Sequence, residues 1–317
     1  MDDIMILNDS VHLPENSSST SITLTVIIAT LGRQEHLTNA LKSLRTSAVP
    51  PDEILIVDGS ADSEARGLTE RENSCTSYLV KHIQSAPGLT RQRNTGTAVA
   101  SSDVVVFLDD DAQVPEHALQ EIKEAYKDPE IVGATARIVE PYGNAVGGKI
   151  SRLRQLFNLG GAPGTFTSAG FPRRLQNETV RQDIEFMQGA FMTARAEEAR
   201  QIGFDEALAG YGLAEDEDFS YRLSRLGKIR YLGDVEIEHD NAGFANRNRV
   251  DFARSVVRNR RYLFHKNFPQ SPASRASFAL LLGTLVVHRL LNREVSAAVA
   301  LAGAAVRREE LGLGPLR

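Results

Sequence analysis

The chain of 317 residues is 42% hydrophobic and 24% charged, which excludes a disordered or fibrous protein and suffices to bury a full α/β core. A single cysteine, Cys75, excludes an intrachain disulfide and a Cys-based zinc site, and fits a reducing compartment. The net charge of −5 is uneven: residues 241–317 carry 13 Arg and Lys against 4 Asp and Glu, a surplus of +9 that leaves −14 on residues 1–240, so the acidic body and the basic tail are expected to do different work.

Residues 1–23 read as a flexible polar arm, and Met1-Asp2-Asp3 lacks the basic-then-apolar order of a signal peptide. The β-branched run Leu24–Ala29 predicts a buried strand, and Leu37, Ala40, Leu41 and Leu44 share one helical face before Pro50-Pro51. Glu53–Val57 predicts a second strand ending in the turn Asp58-Gly59-Ser60, and Tyr78–Ile83 a third. A helix over Thr90–Ala100 follows Pro87-Gly88. The strand Val104–Leu108 runs into Asp109-Asp110-Asp111, and Pro115 opens a helix with Ala118, Leu119, Ile122, Ala125 and Tyr126 on its apolar side. Residues 141–182, rich in Gly, Pro, Arg and Asn, read as a long excursion of functional type. Regular pattern returns over Ile184–Thr193, followed by helices near Ala196 and Glu215 and two short strands, Ile229–Leu232 and Val235–Glu238. Phe219, Leu223 and Leu226 are expected on one helical face. Strands alternating with helices imply an α/β fold with a mostly parallel sheet flanked by helices, whose ligand sits beyond the carboxyl ends of the strands. Asp58 and the Asp109–Asp111 cluster fall at such ends.

Three adjacent carboxylates repel one another unless something positive offsets them. A divalent cation beside a nucleotide diphosphate would do so, and hard oxygen ligands suit Mg²⁺ or Mn²⁺. The competing reading is an acidic cap on the next helix, for which one aspartate would suffice. His239, at the end of a late strand, is a third metal ligand if it joins that cluster, and a structural histidine otherwise. In Glu215-Asp216-Glu217-Asp218 four acids open a helix; capping explains some of them, and a general base would explain one. Arg91 and Arg93 at a helix start are phosphate partners or solvated surface charge.

Taken in order, these motifs resemble the GT-A fold glycosyltransferases of family 2, inverting enzymes that use nucleotide sugars. The series runs Val26-Ile27-Ile28-Ala29-Thr30, Arg33, Ile56-Val57-Asp58-Gly59-Ser60, Arg93-Asn94-Thr95-Gly96, Phe107-Leu108-Asp109-Asp110-Asp111, Gly189-Ala190-Phe191-Met192, Gly203-Phe204-Asp205-Glu206, Glu215-Asp216 with Arg222-Leu223, and His239. It covers residues 24–240. The resemblance implies a nucleotide-sugar-binding half at 24–112 and an acceptor-binding, catalytic half at 113–245. Thr30, Arg33 and Asp58 would line the nucleotide pocket, with Asp58 accepting the imide N–H of uracil or thymine, hence a UDP- or dTDP-sugar. Arg93, Asn94, Asp109 and Asp110 would lie along the diphosphate and sugar. Asp111 and His239 would hold Mg²⁺ or Mn²⁺. Asp216 would be the base, and Gly189, Ala190 and Glu215 would stand near the sugar and the acceptor. The extra acids Glu217 and Asp218 are a departure that leaves the identity of the base open.

Residues 246–317 read as a basic amphipathic helical tail, with Arg247, Arg254, Arg258, Arg261 and His265 in one narrow arc at about 100° per residue. Ala276–His288 and Val295–Val306 are apolar and expected to be too short to span a membrane. The tail either lies on the cytoplasmic face of an anionic membrane near a lipid-linked saccharide acceptor, or packs on the catalytic domain, or forms a homodimer. The resemblance places the enzyme in the cytoplasm, with no nucleic-acid partner. A sugar-nucleotide nucleotidyltransferase and a metal-dependent phosphohydrolase are the alternatives. The first wants a Gly-rich, basic loop where Thr30-Leu31-Gly32-Arg33 stands, and the second an aspartate after the first strand. No Gly-x-Gly-x-x-Gly follows a strand, which disfavours a dinucleotide oxidoreductase.

Overall fold

A computed structural model describes residues 21–61, 64–140, 161–175, 178–208, 213–240 and 248–306. Most of the expected N-terminal arm, residues 141–160 of the excursion, and Arg247 lie outside the described residues.

The first half is a run of parallel β–α units: β1 (Leu24–Thr30), α1 (Gln34–Arg45), β2 (Glu53–Asp58), α2 (Glu64–Asn73), β3 (Leu79–Gln84), α3 (Leu89–Val99) and β4 (Val104–Asp109). The short β5 (Ala112–Gln113) and α4 (Ala118–Ala125) follow, then β6 (Ile131–Val139), β7 (Gln182–Ile184), β8 (Phe191–Arg195), α5 (Ala196–Ile202), α6 (Glu215–Leu223) and β9 (Lys228–His239). The tail forms α7 (Arg249–Asn267), α8 (Pro272–Leu291) and α9 (Val295–Val306).

All nine strands share one sheet in the order β3-β2-β1-β4-β8-β6-β9-β5, with β7 also on β9. The parallel stretch expected from the sequence is β3-β2-β1-β4. From β8 onward the sheet is mixed, because β8 runs antiparallel to both β4 and β6 while β9 is parallel to β6. The sheet is continuous across residue 112, where the sequence divides the two halves. One face buries Leu37, Leu41 and Leu44 of α1 and Leu119 and Ile122 of α4 against Val26, Ile28 and Val106. The other buries Phe107, Ile27, Phe204 and Phe219. Strands covered on both faces need continuous apolar runs, and β1, β2 and β4 have them.

Two elements carry too little periodicity to be read in advance. In α2 only Ala65 and Leu68 punctuate a polar segment. β6 is built largely of small residues, and its Gly133 is required because a Cβ there would stand 2.8 Å from Leu223 Cδ2. Four further expectations are corrected. Ile184–Thr193 is two strands, β7 and β8, with non-strand chain between them. The two late strands are the single 12-residue β9, whose pairing with β6 shifts register between Ala136 and Arg137. Leu226 lies beyond α6 and is exposed. The apolar segment at Ala276–His288 belongs to a 20-residue helix that is, by length and composition alone, long enough to cross a membrane.

Gly96 sets how closely α3 approaches the sheet. A Cβ there would lie 2.5 Å from Ile27 Cγ2, inside a 1%-exposed β-branched side chain that cannot swing away. Gly96→Ala gains about 1 kcal/mol of helix propensity but overpacks the core at about 1–3 kcal/mol. With contact this close the second effect should win, and urea denaturation should show a lowered midpoint.

Candidate active site

The carboxyl ends of β1, β2 and β4 meet because the register places Thr30 opposite Asp58 and Ala29 opposite Asp109. An open cleft at β1 and β2 is lined by Thr30, Gly32, Arg33, Asp58 and Ser60 among others. Asp58 is nearly inaccessible. Its Oδ1 accepts from the Ser60 backbone N–H at 2.8 Å and from the Ser60 hydroxyl at 2.5 Å, and its Oδ2 lies 3.3 Å from His82 Nε2. His82 was not singled out from the sequence. It sits mid-strand in β3, and only the β2–β3 pairing brings it to Asp58.

The three adjacent aspartates point to three different partners. Asp110 is fully buried and turns toward β1, accepting from the Thr30 hydroxyl at 2.8 Å and pairing with the Arg33 guanidinium. Burial pushes its pKa up to about 6 despite Arg33. Asp110, expected along the donor, ties Thr30 and Arg33 at the edge of the cleft to the end of β4.

Asp111 and His239 meet because β5 pairs antiparallel with the end of β9, setting Ala112 opposite His239, and Asp240 N–H donates to Asp111 O at 3.1 Å. Two pairs of residues are too short a strand for any periodicity to reveal. Ligand atoms of Asp109, Asp111 and His239 lie within 4.8 Å of one another. His239 Nε2 is 3.2 Å from Asp111 Oδ1, yet the contact is not aligned as a hydrogen bond, and that oxygen is buried without a hydrogen-bond partner. A buried, unsatisfied carboxylate oxygen facing an imidazole nitrogen, with a second carboxylate beside it, is a donor set that fits a divalent cation. Burial raises the Asp111 pKa, but His239 and Arg33 outweigh it and hold the carboxyl at about 2; the same pairing raises the His239 pKa, so a cation bound there would displace the imidazole proton.

Arg93 joins the acidic strand end to the acidic helix. Its guanidinium, 2% exposed, donates to Asp109 Oδ1 at 2.8 Å, Glu215 Oε1 at 3.3 Å and Gly189 O at 2.9 Å, and lies 5.2 Å from the centre of the Phe204 ring. Phe204 stacks on Phe219 at 4.3 Å. Asn94 accepts from Phe204 N–H at 2.7 Å and donates to Phe204 O at 2.9 Å, which fixes that ring under Arg93. Arg93 and Asn94, expected along the diphosphate and sugar, are engaged here in this internal bracing.

The four acids of α6 separate by environment. Asp218 is fully buried and takes Arg222 at 2.6 Å, Lys266 at 2.9 Å and Asn267 at 2.9 Å. Glu217 is 3% exposed and paired with Arg260. Glu215 is buried beside Arg93, and burial with the neighbouring Asp216 charge raises its pKa well above the usual range. Asp216 alone keeps part of its surface open. It accepts from Gly189 N–H at 3.2 Å and Glu217 N–H at 2.8 Å. A Cβ on Gly189 would stand 3.3 Å from Glu215 Oε1 and press on that carboxylate. Burial raises the Asp216 pKa, with Arg174 the main opposing charge. Ala190, also buried, contributes its carbonyl to Asp109 N–H at 3.1 Å. The residue before α6, Ala214, is in the left-handed region at φ 72°, a conformation that costs a non-glycine residue about 1–2 kcal/mol and aims the first turn of the helix.

The comparisons with known proteins agree with this geometry. A family model described as glycosyl transferase family 2 matches residues 25–203. The chain belongs to glycosyl transferase family 2. An uncharacterized glycosyltransferase, alr2836 of Nostoc sp., is 31% identical over 111 residues, which is 35% of this chain and 34% of that protein, so the match spans about a third of the relative's length. Among solved structures, TarS 1–349 of S. aureus in complex with UDP-GlcNAc superposes with TM-score 0.54 at 18% identity, covering 83% of this chain and 72% of that one. The mannosyltransferase PcManGT of Pyrobaculum calidifontis, in complex with GDP-Man and Mn²⁺, gives TM-score 0.55 at 18% identity, covering 90% and 75%. The shared fold is GT-A.

The tail supplies countercharges that the sequence did not connect to α6. Arg260→Met should leave Glu217 buried and unpaired, at a cost of about 3–5 kcal/mol. The double variant Arg260→Met with Glu217→Met should recover most of that loss, and a double-mutant cycle by chemical denaturation measures the difference.

Proposed function

We propose that the chain transfers a hexose or deoxyhexose from a UDP- or dTDP-sugar to a saccharide hydroxyl carried on a lipid-linked acceptor, with inversion at the anomeric carbon. The observation that carries this reading is the Asp109–Arg93–Glu215 bridge, which holds the candidate base Asp216 one residue from a group tied to the acidic strand end. The bound donors of the solved relatives, UDP-GlcNAc and GDP-Man, support a nucleotide sugar. Asp58 favours the uracil or thymine class, because a carboxylate offers about four acceptor sites and the Ser60 and His82 contacts leave capacity for an imide N–H.

In this reading Thr30, Arg33 and Asp58 receive the nucleotide. When bound at Asp109, Asp111 and His239, Mg²⁺ or Mn²⁺ supplies Lewis-acid stabilisation of negative charge on a diphosphate. Asp216 accepts the proton of the acceptor hydroxyl as its oxygen forms a bond to the anomeric carbon and the bond from that carbon to the diphosphate breaks. The two backbone N–H groups on Asp216 fix its orientation. Glu217 and Asp218, neutralised by Arg260, Arg222 and Lys266, stand apart from this step.

Asp216→Asn should keep donor binding, since the amide preserves the shape, while transfer falls by about 10²–10⁴-fold. In the wild type the base works only when ionised, and burial raises its pKa. The rate should therefore fall as pH drops through a value above the roughly 3.9 of a free aspartate. Wild-type turnover in the Asn variant would remove Asp216 from the role.

Asp111→Ala removes one of the three cation donors. Calorimetry with UDP and Mn²⁺ should show loss of the metal-dependent part of binding, and unchanged affinity would overturn the metal assignment.

A further inference from the structure

The inner faces of α8 and α9 are well occupied. Phe278, Leu281 and Leu282 of α8 and Ala297 and Leu301 of α9 pack with Ala253, Val257 and Phe264 of α7, where Phe264 and Phe278 stack at 4.5 Å. The outer faces are different. Among the described residues, 7 of the 12 exposed large apolar side chains fall between residues 280 and 306. On α8, Leu280, Val287 and Leu290 recur on one side; on α9, Val295, Val299 and Val306 do the same. Each set fits an arc of about 100° on its own helix. Their exposures run from 46% to 84%, and no charged residue interrupts either stripe. Both stripes turn away from the same buried cluster. A surface helix of a soluble protein normally presents polar side chains there, and exposed apolar stripes of this kind mark a contact surface.

We infer that these two stripes form a docking surface for an anionic lipid bilayer, on which α8 and α9 lie in the plane of the interface. Charge selects this occupant over a second copy of the chain. Residues 248–306 carry 9 Arg and Lys against 2 acids; with Arg260 and Lys266 committed to Glu217, Asp218 and Asp205, the remaining 7 basic residues still outnumber the 2 acids. Two such surfaces facing each other would repel, whereas an anionic headgroup layer attracts the basic residues near it. Arg275 and Arg293 are exposed beside the stripes, at the start of α8 and in the turn between α8 and α9. Packing decides between lying and spanning. Although α8 has the length to cross, its inner face is stacked on α7, and α7 is held to the catalytic helix by Arg260–Glu217 and Lys266–Asp218. Crossing would strip α8 from that cluster; lying on the surface leaves the cluster intact and buries the outer stripe. The inference stands apart from the donor and acceptor assignments.

Co-sedimentation of the full chain with phosphatidylcholine vesicles, with and without phosphatidylglycerol, tests it. At low salt the protein should pellet with the anionic vesicles and weaken at least tenfold in 0.5 M salt, where exposed charges are screened. The double variant Leu280→Glu with Val299→Glu should lose binding at least tenfold, with its thermal midpoint and UDP binding unchanged, because both positions are exposed. Wild-type protein remaining in the supernatant, or binding neutral and anionic vesicles equally, overturns the inference. So does a dimer in sedimentation equilibrium that the double variant dissociates, which would assign the stripes to an interface between copies.

Discussion

A buried guanidinium must be fully paired or it is not tolerated, and Arg93 meets that demand by recruiting four separate stretches of chain. Asp109 comes from the end of β4, Gly189 from the turn before β8, Glu215 from the first turn of α6, and Phe204 from the segment after α5. None of these is near another in sequence. Because each contact is desolvated, displacing one leaves a charge or carbonyl unsatisfied, so the four segments keep one relative placement. The position of Arg93 depends in turn on how deeply α3 sits against β1, which Gly96 permits. A missing side chain on one helix thus lets a charged side chain organise the mouth of the site.

The second constraint is the density of negative charge. Asp109, Asp110, Asp111 and the four acids opening α6 cannot share a small volume without countercharges. Arg33 and Arg93 serve the strand end and the near side of the helix. The far side is served by the tail: Arg260 on Glu217, and Lys266 and Asn267 on Asp218, with Tyr262 and Lys266 on Asp205. Helix α7 is therefore part of the structure that holds the acidic first turn of α6. By neutralising two of the four acids it leaves Asp216, the partly open one, distinct from its neighbours.

The parallel half of the fold was legible because β1, β2 and β4 are buried on both faces and read as unbroken β-branched runs. The gathering of Asp109, Asp111 and His239 was legible because Asp109 and His239 end β4 and β9, and Asp111 follows Asp109 by two residues. What escaped were features set by pairing between distant segments. Nothing in the local pattern around His82 distinguishes it until β2 and β3 align, and β5 is two residues long. Arg93 was read as a phosphate partner because a basic residue at a helix start fits that role equally well; only its burial shows what it touches. The arginine stripe of the tail was read from one helix alone. Arg260, which lies outside that arc, makes the buried pair, and Arg261, within it, donates to the Ala305 carbonyl of α9.

The two-residue pairing of β5 with β9 also bears on how the site comes into being during synthesis. Both aspartates leave the ribosome with the first half of the sheet, but His239 is the final residue of its last strand. A nascent chain that has formed β1 to β4 carries two-thirds of the ligand set and lacks the imidazole that completes it. If the cluster holds the proposed cation, full-strength capture is a property of the finished sheet.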